Sequence, residues 1–89
     1  MIELDQIEKG VIEKLIFEET FENILNECAN LAPPNVINDV LKFLIQHKLV
    51  VAKLPLENKK SKAGFIYDSD RMKDYHYQAT AKGLNYLGT

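Results

Sequence analysis

A single cysteine, Cys28, among 89 residues rules out an internal disulfide, and no other residues supply the paired spacing of a zinc site. A reducing, cytoplasmic setting is therefore expected. Long apolar runs are also missing. The longest is a handful of residues, too short to span a bilayer, and Met1-Ile2-Glu3-Leu4-Asp5 has neither the basic start nor the apolar centre of an export signal. Catalytic patterns are absent too: there is no Ser/His/Asp spacing, no glycine-rich phosphate loop and no carboxylate pair with a pocket around it. Cys28, His47 and His76 would become metal ligands only if folding gathered them. The expectation is a protein that is not an enzyme and carries neither cofactor nor metal.

Excess positive charge is lacking as well. A net charge of -2 and a pI near 5.6 count against a binder held to nucleic acid mainly by electrostatics, because phosphate contacts normally need a basic surface. The distribution changes that picture. In residues 1–46 nine acids face three lysines, leaving -6, whereas in residues 47–89 seven lysines and one arginine face four acids, leaving +4. A dipolar chain can present its basic half to DNA.

What is present suits one small folded domain over residues 1–89, since 46% hydrophobic and 27% charged residues are ordinary globular proportions. Asp5 and Glu8 form a capping-box pattern, and Leu4, Ile7, Val11 and Leu15 follow at helical spacing, which predicts a first helix from about Gln6 to Phe17. Gly10 weakens its centre by about 1 kcal/mol relative to alanine. Thr20 is a natural cap for a second helix with Phe21, Ile24, Leu25, Cys28 and Leu31 on its apolar face. Cys28 there reads as a small core hydrophobe rather than a nucleophile.

Pro33-Pro34-Asn35 ends that helix and opens a third, whose buried face is Val36, Ile37, Val40, Leu41, Leu44 and Ile45. Opposite them lie Asn35, Asn38, Asp39, Lys42 and Gln46, all capable of hydrogen bonding. Leu49-Val50-Val51-Ala52-Lys53-Leu54 then predicts an edge strand, with Pro55 near its end. Tyr75 to Ala79 predicts its antiparallel partner, with Tyr75 and Tyr77 directed to the core and His76 away from it. The connection, Glu57 to Asp74, holds Lys59, Lys60, Lys62, Arg71 and Lys73 and an apolar Phe65-Ile66-Tyr67 patch that can add strand. Thr80 caps a short last helix that Gly83 weakens.

Two stretches resemble the winged helix-turn-helix superfamily. Val40 to Val50, a leucine-spaced helix running into His47-Lys48-Leu49-Val50, is similar to the recognition helix and exit turn of small bacterial regulators of the MarR and PadR type, with Lys48 where glycine is usual. Tyr77 to Leu87, with Thr80, Gly83 and Leu87 at matching positions and Ala79 in place of a leucine, is similar to the segment leading from the wing into the final helix. The resemblance implies an α+β winged helix-turn-helix fold: a three-helix core, a C-terminal β-hairpin wing and a short final helix.

It also implies a sequence-specific DNA-binding transcriptional regulator, with the third helix in the major groove and the wing on the backbone. Base readers would be Asn35, Asn38, Asp39, Lys42 and Gln46, since Asn and Gln pair with adenine, Lys donates to guanine and Asp accepts from cytosine. Phosphate contacts would be Lys59, Lys60, Lys62, Arg71 and Lys73. Taken without the resemblance, the stripe reads more simply as a solvated helix face, and the basic loop, diluted by Glu57, Asp68, Asp70 and Asp74, equally as a soluble connection. His47 near the helix end is a pH switch or, more simply, a favourable charge at a helix C-terminus. Double-stranded DNA as partner goes with a homodimer, through residues such as Ile2, Leu4, Tyr86 and Leu87, because one small module reads few base pairs. The competing reading is a winged-helix module that binds a protein and not DNA.

Overall fold

The computed structural model describes residues 3–53 and 69–87. They form a small α+β domain in which four α-helices pack on one face of a three-stranded antiparallel sheet. Helix α1 (Gln6–Glu13) starts with the capping box read from the sequence. The Glu8 N–H donates to Asp5 Oδ1 at 2.8 Å and the Asp5 N–H to Glu8 Oε1 at 2.9 Å. It stops four residues short of the expected Phe17. The backbone tightens there, with the Lys14 and Leu15 N–H groups donating to the carbonyls of Val11 and Ile12, and the Leu15 carbonyl accepts from the Ala79 N–H at 2.8 Å. Pairing with a distant strand thus replaces the next helical turn, and Ile16 and Phe17 are left 47% and 76% exposed.

The strand β1 (Glu19–Thr20) was not anticipated, since two residues carry no alternation to read. Thr20 serves both elements: it pairs with His76, and its Oγ1 accepts from the Asn23 N–H at 3.1 Å to cap α2 (Phe21–Glu27). Helix α2 ends at Glu27, so Ile24 and Cys28 are buried as expected, while Leu31 lies beyond the helix at the surface. Leu31 folds back over Gly10, its Cδ1 2.7 Å from where a β-carbon would stand. Gly10 therefore marks a close approach as well as a weak helical centre.

Helix α3 (Pro34–Gln46) follows with Pro34 in its first turn and Ile37, Leu41 and Leu44 fully buried; Val36, Val40 and Ile45 are half-buried at the margins of that face. Its exit is a Schellman turn. The Leu49 N–H donates to the Leu44 carbonyl and the Lys48 N–H to the Ile45 carbonyl, which requires Lys48 to adopt left-handed backbone at φ 64°. A side chain at that conformation costs about 1–2 kcal/mol, which is why glycine is usual there.

Strands β2 (Val50–Lys53) and β3 (His76–Ala79) pair antiparallel from Val50↔Ala79 to Lys53↔His76, and β3 lies between β1 and β2. Val50, Ala52, Tyr77 and Ala79 face the helices; Val51, Lys53, His76 and Gln78 face outward. Of the long connection before β3, residues 69–74 are described: a turn and a 3₁₀ segment, Met72–Asp74. Met72 is buried, and the Tyr77 hydroxyl donates to its carbonyl at 2.6 Å. Phe65-Ile66-Tyr67 lies outside the described residues.

Helix α4 (Ala81–Leu84) is fastened to the α3 exit turn. The Thr80 N–H donates to the Leu49 carbonyl at 2.9 Å, and Thr80 Oγ1 donates to the Lys48 carbonyl at 2.8 Å while accepting from the Gly83 N–H. A β-carbon on Gly83 would run into the Leu49 carbonyl oxygen and lie 3.0 Å from its carbon. Two substitutions at this joint should act with opposite signs in urea denaturation. Gly83→Ala overpacks a backbone contact and should lose about 1–3 kcal/mol; Lys48→Gly relieves the left-handed strain, less the added freedom of the unfolded chain, and should gain about 0.5–1 kcal/mol.

Candidate nucleic-acid interface

The outward stripe of α3 divides in two. Asn35, Asp39 and Gln46 are exposed, whereas Asn38 and Lys42 are half-buried because they form one wall of an open groove of about 450 Å³. Ser69 to Asp74 form the other wall, and Phe21 at the start of α2 and Met72 also line it. The fold thus brings four of the residues singled out in the sequence, Asn38, Lys42, Arg71 and Lys73, around one concavity. Asn35, Asp39 and Gln46 do not line it, and Lys59, Lys60 and Lys62 lie outside the described residues.

The polar atoms here are unevenly matched. Arg71 Nε lies 2.8 Å from Asp74 Oδ2, an exposed pair worth at most about 1 kcal/mol and therefore easily exchanged for another anion. Lys42 and Lys73 have no ion-pair partner among the described residues. Asn38 Oδ1 is buried and accepts no hydrogen bond from any described residue, a deficit of roughly 1–3 kcal/mol. Phe21 and Met72 were missed as groove residues. Phe21 read only as core; Met72 gave one signal, an isolated apolar side chain shortly before Tyr75 and Tyr77.

Elsewhere, the outer sheet face carries a polar cluster. Glu18 contacts His76 Nδ1 at 2.8 Å and Lys53 Nζ at 3.9 Å, and Lys53 also donates to Gln78 Oε1 at 2.6 Å. These contacts tie the start of β1 to both other strands. Tyr75 and Tyr77 are buried in edge-on contact, their centroids 6.4 Å apart, and are core residues as the alternation predicts. His47 caps the C-terminus of α3 with its ring 4.5 Å from that of Phe43. Of the expected dimer residues, Leu4, Tyr86 and Leu87 are half-buried against the core and Ile2 lies outside the described residues.

Cys28 is enclosed in the core. Burial pushes its thiol above the ordinary range; the Lys14 ammonium pulls it back in part and the Glu27 carboxylate adds to the rise. The protonated thiol is thus the folded form, unsuited to nucleophilic work. No helix among the described residues is long and apolar enough to cross a membrane. No protein-family model, no curated protein and no solved structure matches this chain.

The raised thiol makes a checkable statement about alkaline stability. Its contribution is complete below the unfolded-chain pKa, about 8.5, and is lost as pH rises toward the higher folded value. The stability difference between the wild type and Cys28→Ala should be constant from pH 6 to 8 and shrink above that. A difference that grows with pH in parallel urea titrations contradicts the burial argument.

Proposed function

We propose that this chain is a winged helix-turn-helix DNA-binding regulator in which α3 enters the major groove and the segment leading into β3 contacts the backbone. The observation that carries the reading is the shared groove, where the polar stripe of α3 (Asn38, Lys42) faces the basic residues Arg71 and Lys73 that precede the central strand. Two features of the fold support it. Three helices followed by the paired strands β2 and β3 and a short last helix match the element order expected of a winged helix, and the left-handed backbone after α3 falls at the position where the resembling regulators usually have glycine. Arg71 and Lys73 supply phosphate contacts, Lys42 a donor for guanine, and Asn38 the amide that discriminates adenine. Action as a cytoplasmic homodimer on a two-fold symmetric site belongs to the same proposal, since a module of this size reads only a few base pairs alone.

One observation favours the second reading, a module that docks a protein. Ile16 and Phe17 are the most exposed large apolar side chains among the described residues, and they stand beside Glu18 and Glu19 in the acidic half. That surface suits a basic, apolar partner better than it suits DNA.

Fluorescence anisotropy with a pool of labelled genomic duplexes at 50 and 200 mM salt separates the two. A DNA regulator should enrich particular fragments and weaken as salt rises; Lys73→Ala should lower affinity for all fragments alike, while Asn38→Ala or Lys42→Ala should cost about 1–3 kcal/mol only on fragments with the preferred base. Absence of binding at 50 mM salt by the folded protein rejects the DNA reading. A sedimentation equilibrium run showing monomer alone at tens of micromolar, with and without DNA, rejects the dimer.

A further inference from the structure

The groove between α3 and the segment before β3 has the volume and the unmatched chemistry of a small-molecule site. About 450 Å³ falls within the usual 300–1,000 Å³ range of ligand pockets. Its lining holds three cations, Lys42, Arg71 and Lys73, against two acids, Asp70 and Asp74, and Asp74 is matched by Arg71 at 2.8 Å. Lys42 and Lys73, one on each wall, have no ionic partner among the described residues, so an anion between them would meet two available ammonium groups. Asn38 Oδ1 presents the complementary deficit: it is a buried acceptor without a donor. The Phe21 ring adds an aromatic surface to the same lining.

A ligand that meets all three demands carries a phosphate for the lysines, an N–H donor for Asn38 and a flat ring for Phe21. We propose that the groove binds a single phosphorylated nucleotide whose base bears an exocyclic amine. Asn38 lines the groove while its Oδ1 is turned inward, so a half-turn of the amide about its Cβ–Cγ bond brings Oδ1 to the groove, where the amine donates to it. The base stacks on Phe21, and the phosphate lies between Lys42 and Lys73. Uracil and thymine lack the amine; their one base-edge donor, the ring N3–H, lies between two carbonyl oxygens that crowd the Asn38 oxygen, so they satisfy it less well. The nucleotide has two possible sources, a free mononucleotide or a unit of a DNA strand. The pocket stands without the DNA reading and draws on it for one consequence: a free nucleotide seated here competes with duplex.

Isothermal titration of the full chain with AMP, CMP, UMP and inorganic phosphate at 50 mM salt tests this directly, with amide chemical shifts mapped in parallel. AMP and CMP should bind in the submillimolar range, UMP about tenfold more weakly and phosphate more weakly still, with shifts centred on Phe21, Asn38, Lys42 and residues 71–74. Asn38→Leu should abolish the difference between AMP and UMP. Lys73→Ala, on an exposed side chain that the fold does not need, should weaken AMP and UMP by the same factor and stands as the test if Asn38→Leu does not fold. Equal affinity for AMP and UMP, shifts located elsewhere, or no binding at millimolar nucleotide overturns the proposal. Labelled duplex in the same buffer separates it from the DNA reading. Duplex bound without nucleotide binding overturns the pocket and leaves that reading intact, nucleotide bound without duplex supports the pocket alone, and displacement of duplex by AMP identifies a shared site.

Discussion

Two consecutive carbonyls, those of Lys48 and Leu49, hold the end of α3 to the rest of the molecule. The Schellman turn satisfies the last carbonyls of α3 and reverses the chain into β2. The carbonyls of that same turn then accept from Thr80, one from its hydroxyl and one from its N–H, which fixes where β3 ends and α4 begins. Gly83 lies against the Leu49 carbonyl with no space for a side chain. A left-handed lysine is tolerated here because the hydrogen bonds around it over-determine the turn.

The sheet depends on a second tie. Because β3 is central, it takes hydrogen bonds from both sides, from β2 and from the short β1 together with Leu15. Tyr77 on its inner face reaches Phe21, Tyr75 and the Met72 carbonyl, and so connects the start of α2 to the segment before the strand. These same residues set the width of the groove. Phe21, Met72 and the α3 wall are held by core contacts, while Arg71 is paired with Asp74 and Lys73 is exposed on the opposite wall.

The charge asymmetry along the chain acquires a spatial meaning in this arrangement. Most acids of the first half lie on or beside α1, β1 and α2, and Glu18 braces His76 and Lys53 across the outer sheet face. Cations of the second half join Lys42 at the groove. An overall charge of -2 therefore conceals a locally positive concavity, and net charge is a poor guide to what such a surface binds.

Much of this could be read from the residues themselves. Caps at Asp5 and Thr20, the Pro33-Pro34 boundary, the 3.6-residue spacing of Ile37, Leu41 and Leu44, and the alternation around Tyr77 are local signals, written in side-chain chemistry that acts within a turn or two. They determined the order of the four helices and of the β2–β3 pair, and most of the core. Tertiary contact decided what no local signal carries. It stopped α1 at Glu13, because Leu15 gains a strand hydrogen bond from Ala79 that continued helix cannot offer. It turned Glu19–Thr20 into a strand, gave Gly10 and Gly83 neighbours that make glycine useful, and buried Met72. It also split the α3 stripe, setting Asn38 and Lys42 against Arg71 and Lys73 while leaving Asn35, Asp39 and Gln46 in solvent. Helical periodicity specifies which residues share a face, but the neighbour of that face depends on chain segments some thirty residues away, and only packing brings the two together.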